Sequence, residues 1–193
     1  RVLKIVPSIP ELDGGQPRPD LRFVGQLLGE LKPASPESAF TPEPGKRYVF
    51  VYTGTGSVSL SVIRHILPQV FPADGELQAV VVGQSIFQTF KIGGVEFRPY
   101  VSANEILPHC DWTICHGGQN TIIQSLMHGV PLLIFPGAVF ERRFNAEEAM
   151  RSGAASMGEL PDFNPQWITA ALAEREPMAA RAAELGAKIK SYG

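Results

Sequence analysis

Trp112-Thr-Ile-Cys-His-Gly-Gly-Gln-Asn-Thr-Ile-Ile-Gln-Ser-Leu-Met-His-Gly-Val-Pro-Leu-Leu-Ile-Phe-Pro136 is the stretch whose reading decides the fold. A short apolar run, Trp112 to Cys115, ends at His116-Gly117-Gly118. Apolar Ile122, Ile123, Leu126 and Met127 then fall on one helical stripe. His128-Gly129 is a helix stop, glycine being the residue that tolerates the left-handed conformation just past the last turn. Val130 to Phe135 reads as a second buried strand, closed by Pro136. The unit is strand, glycine turn, helix, turn, strand. Its physics favours an anion. Glycines let backbone approach a ligand closely, and the free N–H groups and positive dipole end of a helix N-terminus attract phosphate. His116, Asn120 and Thr121 add side-chain donors at that place. A helix merely started by polar residues gives the same local pattern, so the flanks have to decide.

Working outward, the same alternation continues on both sides. Tyr48 to Tyr52 is rich in β-branched and aromatic residues and reads as a strand. Thr53-Gly-Thr-Gly-Ser57 follows it, and then a helix over residues 58–70 with Ser57 as its N-cap. Leu77 to Val82 and Val95 to Phe97 are two further strands, and Gln84 to Phe90 fits either a helix start or an extra strand. Ser102 to Leu107 is a helical turn that buries Ile106 and Leu107. Glu141 to Arg151 is a helix, Ala154 to Met157 a strand, and Pro165 to Glu174 and Pro177 to Tyr192 are helices opened by proline near the first turn. The expected fold is α/β: a Rossmann-like, doubly wound parallel sheet of about six strands covered by helices on both faces. Such sheets bind ligands at the carboxyl ends of their strands, where the topology reverses. Every glycine loop named here follows a strand and falls on that edge.

Residues 1–46 differ in composition. Val2 to Val6 is a candidate short strand, but Pro7 to Pro19 and Pro33 to Lys46 are rich in Pro, Gly, Ser and Glu. The segment is expected to be an interdomain linker or an N-terminal arm with little regular structure, followed by the α/β domain over 47–193. The chain has 193 residues, 44% of them hydrophobic, and a net charge of −2. That composition suits a globular domain with a substantial core. It argues against nucleic acid or an anionic membrane as partner, and no apolar run is long enough to cross a bilayer. With no signal peptide, a cytoplasmic location is expected. Cys110 and Cys115 are too few for a disulfide framework or a standard zinc site, so no metal is expected.

The segment from Phe97 to Ala154 resembles the donor-binding signature of GT-B glycosyltransferases, the nucleotide-sugar-dependent group that includes plant, macrolide and antibiotic enzymes. The resemblance rests on ordered blocks: Tyr100-Val-Ser-Ala-Asn-Glu-Ile-Leu-Pro-His-Cys-Asp111, His116-Gly-Gly-Gln-Asn-Thr121, His128-Gly-Val-Pro131, Phe135-Pro136, and Asn145-Ala146 before Gly153. It implies that the chain is the C-terminal, donor-binding half of such an enzyme. Its role would be to help move a hexosyl group from a UDP- or TDP-sugar to an acceptor hydroxyl of a small molecule.

Carried over residue by residue, the resemblance assigns the diphosphate to Gly54, Thr55, His116, Gly118, Asn120 and Thr121. It assigns the base and ribose to Tyr100, Val101 and Gln124, and the donor sugar to Glu141 and Arg142. Relatives often have glutamate at the Gln124 position and a neutral amide at the Arg142 position. The first departure implies less insistence on a ribose 2′-hydroxyl, and the second a sugar other than plain glucose. The same patterns are open to plainer readings: Tyr100 as a half-buried aromatic, Glu141 to Arg143 as a solvated helix start. No catalytic base is expected in this chain, since the family carries it, with the acceptor pocket, in the N-terminal half, and no cofactor or required metal is implied. A donor-binding subunit of a two-chain transferase and a nucleotide-sugar epimerase of the same fold are the alternatives.

Overall fold

The computed structural model of the protein describes residues 3–15, 18–27, 39–54 and 58–192. Their elements in chain order are β1 (Lys4–Val6), β2 (Leu21–Phe23), β3 (Arg47–Gly54), α1 (Leu60–Val70), β4 (Leu77–Gly83), β5 (Phe90–Ile92), β6 (Val95–Arg98), α2 (Ala103–Ile106), β7 (Cys110–Cys115), α3 (Gln119–Met127), β8 (Leu132–Ile134), α4 (Phe140–Arg151), β9 (Ala155–Met157), α5 (Pro165–Ala173) and α6 (Arg175–Lys190).

The main sheet has seven strands in the order β5-β6-β4-β3-β7-β8-β9. All neighbours are parallel except β5, which runs antiparallel to β6 at the edge. Without β5, the order is that of a doubly wound nucleotide-binding sheet, with its topological switch between β3 and β7. The extra strand, Phe90–Ile92, shares only Phe90 with the ambiguous stretch Gln84 to Phe90, whose other residues form neither helix nor strand. Phe90 pairs with Phe97, and their rings stack at 4.7 Å, a cross-strand contact that supplies most of what so short a strand needs.

Alternation along the strands sorts the core. Val49, Val51, Ala79, Val81, Trp112, Ile114 and Leu133 point to one face, where Ile63 and Leu67 of α1 and Ile168 of α5 cover them. Trp112 is fully buried and its indole N–H donates to the Leu172 carbonyl at 3.3 Å, which removes the cost of burying that donor. The other face is divided. Tyr48, Phe50, Val80 and Val82 pack with Ile106 and Leu107, while Cys115, Leu132 and Ile134 pack with α3, α4 and α6. The division runs along β7, whose Cys110 belongs to the first cluster and whose Cys115 belongs to the second.

The expected apolar stripe of α3 is buried at Ile122, Ile123 and Leu126, each contributing about 1.5–3 kcal/mol in area removed from water. Inside, the Ser125 hydroxyl donates to the Thr121 carbonyl at 2.8 Å and lies 2.9 Å from the Thr113 hydroxyl of β7. Gly129 ends the helix at φ 71°, as its position predicts. The N-cap of α1 is Ser59, whose hydroxyl accepts from the Val62 N–H. Ser57, the cap expected from sequence, lies outside the described residues. The last helix begins two residues before Pro177, at Arg175.

The N-terminal segment is more regular than its composition suggests. β1 and β2 form a small parallel pair. Between them, Ile9 and Leu12 are buried against α3, α4 and α6, and Glu11 pairs with Lys188. Pro10 sits in the first turn of a 3-10 helix, Pro10–Leu12, where its missing N–H costs nothing. The prolines thus shape an ordered arm over residues 4–15, while Phe40 packs edge-on against Tyr48. The calls for residues 1–2, 16–17 and 28–38 lie outside the described residues.

Candidate functional site

Two chain reversals meet at the carboxyl edge of the sheet, beside the divided face. β3 ends at Gly54, β7 at Cys115 followed by His116, and α3 opens at Gly118. Two connected chambers lie at this edge. One, of about 330 Å³, is lined by Phe50, Tyr52, Val82 and Gln84 on the sheet side, by residues 99–104, and by Asn120, Thr121 and Gln124. The other, of about 370 Å³, is lined by Tyr52, Gly54, Gln84, His116, residues 118–121 and Glu141. The helix between them has no side-chain cap. This contrasts with α1 and α5, where Ser59 and Asn164 accept from backbone N–H groups in the first turn. The α3 N-terminus therefore presents its first N–H groups and dipole to the crevice.

His116 is held by what its neighbours lack. A Cβ on Gly54 would lie 2.5 Å from its Cε1, and one on Gly118 3.0 Å from its Nε2. Gly54 also has φ 52°, so any side chain there meets both backbone strain and the ring. The ring of Tyr52 lies 5.8 Å away. Gly117 serves a different contact: at φ 88°, its missing Cβ makes room for the Arg142 carbonyl, which would otherwise be 2.7 Å away. The Asn145 side-chain N–H donates to the Gly117 carbonyl at 3.1 Å. The glycines expected to admit a ligand thus first admit an imidazole and a helix.

Burial holds the His116 pKa below the usual histidine value, and the charge of Arg142 pushes the same way, while the Tyr52 carbonyl and Glu141 oppose them. The balance favours the uncharged imidazole in the free protein, a hydrogen-bonding group rather than a fixed cation. Its Nδ1 is buried with no hydrogen-bond partner among the described residues.

The structure gathers most of the residues singled out from sequence. Gly54, His116, Gly118, Asn120, Thr121 and Glu141 line one chamber, and Tyr100, Val101, Asn120, Thr121 and Gln124 the other. Tyr100 is 61% exposed, while Val101 is buried and also lines the chamber. Arg142 is not part of either lining: its carbonyl packs on Gly117 and its charge acts on His116. Thr55 lies outside the described residues.

Sequence reasoning missed Tyr52 and Gln84, which line both chambers. Each stands at or just past the carboxyl end of a parallel strand, and that position was the available signal. The cysteines pack: both are free and buried, and burial pushes the Cys115 thiol up to about 12 and Cys110 higher still. Among the described residues no group of three or more His, Cys, Asp or Glu side chains is placed to hold a metal ion, and no helix is long and apolar enough to cross a membrane.

Comparison with known proteins bears on the family and the fold. The family described as Glycosyltransferase family 28 C-terminal domain matches residues 49–191. A 4′-demethylrebeccamycin synthase from Lentzea aerocolonigenes is 27% identical over 155 residues, 79% of this chain and 36% of the relative. Among solved structures, the glycosyltransferase of kitacinnamycin superposes with a TM-score of 0.79 at 22% identity, covering 99% of this chain and 51% of that one. A spinosyn rhamnosyltransferase complexed with thymidine diphosphate gives 0.69 at 21% identity, over 98% of this chain and 53% of that one. The structural likeness is one of fold: that of GT-B glycosyltransferases. The chain spans about half the length of these solved structures and about a third of that curated relative.

Proposed function

The chain belongs to the glycosyltransferase family 28 C-terminal domain family, and on that premise we propose that it is the donor-binding half of an enzyme that transfers a hexosyl group from a nucleoside-diphosphate sugar to an acceptor hydroxyl of a small molecule. The observation that carries the reading is the uncapped α3 N-terminus, opening beside His116 into a two-chambered crevice at the topological switch. The diphosphate lies over the N–H groups of α3, with Asn120, Thr121 and His116 donating to its oxygens. The nucleoside occupies the chamber of Phe50 and Val82. Tyr100 stacks on the base, the Val101 backbone bonds the base edge, and Gln124 contacts the ribose. Glu141, at the far end of the second chamber, accepts from sugar hydroxyls. The arm ahead of residue 47 leads to the other half of the enzyme.

In the reaction, an acceptor oxygen attacks the anomeric carbon as its bond to the diphosphate oxygen breaks. Negative charge builds on the departing diphosphate, where the helix dipole and fixed donors stabilise it most. The part of this chain is to bind the donor, orient the sugar and stabilise the leaving group without a required metal. The base that takes the acceptor proton, and the acceptor pocket, belong to the other half.

Gln124 is neutral and does not demand two ribose hydroxyls as a carboxylate acceptor would. The isolated chain is expected to bind TDP at least as tightly as UDP, by calorimetric titration, and to give no sugar transfer when supplied with donor and an alcohol acceptor. A strong preference for UDP contradicts the assignment of Gln124. Turnover by the 193 residues alone contradicts the division of labour.

A further inference from the structure

A diphosphate bound here would meet an unusual lining. Among the described residues, the one formally charged side chain that lines either chamber is Glu141, an anion, and no lysine or arginine lines them. A ligand with two or more negative charges therefore meets uncharged donors and the α3 dipole over most of the lining, with His116 as the one group beside it that can take up a proton. Donors on one side alone leave phosphate oxygens facing the opposite wall, and each missing bond to a charged group is costly. The opposite wall has two polar groups that no motif reading selected. Four residues line both chambers and so mark the neck between them: Asn120 and Thr121 from α3, and Tyr52 and Gln84 from the β3–β4 side. Gln84 follows Gly83 at the end of β4 and is exposed. Tyr52 lies on β3 between Phe50 and His116, its ring 6.2 Å from the first and 5.8 Å from the second. A nucleoside diphosphate that fills both chambers passes the neck where its sugar carbon joins the first phosphate.

We propose that Gln84, with Tyr52 beside it, is a diphosphate-binding residue that closes the neck of the crevice against the α3 N-terminus. The Gln84 amide donates to the phosphate next to the nucleoside, and the Tyr52 phenol supplies a second neutral donor. The proposal rests on the donor-site reading above and extends it to the wall that reading leaves without a role. It also gives Gln84 a reason to be an amide: a carboxylate at the same point would face the phosphate with like charge.

The test is titration of the chain with TDP and with thymidine, which lacks the phosphates. Gln84→Ala is expected to weaken TDP binding about 10- to 100-fold, as for loss of a hydrogen bond to a charged group, and Gln84→Glu more than that. Tyr52→Phe is expected to weaken TDP about threefold or more, and thymidine binding should stay within twofold throughout. Because Gln84 is exposed, unchanged thermal unfolding of its variants confirms that they fold. Unchanged TDP affinity in Gln84→Ala, including the case where only the added charge of Gln84→Glu weakens binding, overturns the proposal, as does an equal loss for thymidine. If the unmodified chain binds neither TDP nor UDP, the donor-site reading falls and this proposal with it. Binding by the unmodified chain with insensitive variants rejects this proposal alone.

Discussion

Gly186→Ala is expected to lower the thermal midpoint by about 4–8 °C. Gly186 is buried in α6 where that helix crosses α3, and an added Cβ would sit 2.0 Å from the Leu126 carbonyl oxygen and 2.9 Å from its carbon. Both are backbone atoms, so no side chain can swing aside. Alanine gains about 1 kcal/mol of helix propensity over glycine. Forcing two packed helices apart costs more, typically up to about 3 kcal/mol and occasionally beyond. A net loss of about 2 kcal/mol in a domain of this size corresponds to the stated shift. The effect reaches function as well, because α3 carries the proposed phosphate-binding N-terminus and α6 is its support. Differential scanning calorimetry reads it directly. A midpoint unchanged or raised would mean that the helices are not in backbone contact at Leu126.

His116→Ala is expected to weaken TDP binding about 10- to 100-fold, the range for losing a hydrogen bond to a charged group. The pH dependence is the sharper signature. In the free protein, burial and Arg142 hold the His116 pKa below its unfolded value. A bound diphosphate opposes both and raises it. TDP affinity should therefore increase as pH falls through the pKa of the complex, and level off below that of the free protein. His116→Ala should show the phosphate's own titration without this added slope.

The same shift acts on folding with the opposite sign. A histidine whose folded pKa is depressed leaves the unfolded chain binding more protons. The stability linked to this group is complete above the unfolded pKa, near 6.5, and is lost as pH falls from there toward the depressed folded value. Chemical denaturation with and without TDP at several pH values separates the two effects. Identical pH profiles for the unmodified protein and His116→Ala would remove His116 from the site.

Much of this was legible in sequence because the parallel sheet writes itself plainly. Strands buried on both faces, such as Val49 to Val51 and Ala79 to Val82, appear as unbroken apolar runs, and glycine turns punctuate them. The helix after His116 could be placed from the stripe of Ile122, Ile123 and Leu126 alone. Three things were not legible. The short edge strand at Phe90 depends on a cross-strand partner, Phe97, and not on its own pattern. The ordered arm was hidden by its prolines and glycines: Ile9 and Leu12 are buried by α3, α4 and α6, which come much later in the chain.

The reason for the glycines was hidden too. Gly54 and Gly118 lie 64 positions apart in the numbering yet both give way to the ring of His116, a three-body contact that no local pattern encodes. Asn120, Thr121 and Glu141, which carry a sequence signature, line the crevice. Tyr52 and Gln84 carry none, because a polar or aromatic residue at the end of a strand is common and only topology brings these two to the neck. Arg142 shows the converse: adjacency to Glu141 in sequence did not bring it into the lining.

The central claim is that a nucleoside diphosphate seats its phosphates on the N-terminus of α3. Amide chemical shifts test it most directly. On addition of TDP to the isotope-labelled chain, the backbone N–H signals of Gln119, Asn120 and Thr121 should move the most and the His116 ring signals should shift with them. Thymidine should perturb Tyr100, Val101 and Gln124 and leave the three amides nearly in place. Phosphate-dependent shifts elsewhere in the chain, with the α3 amides unmoved, would contradict the account.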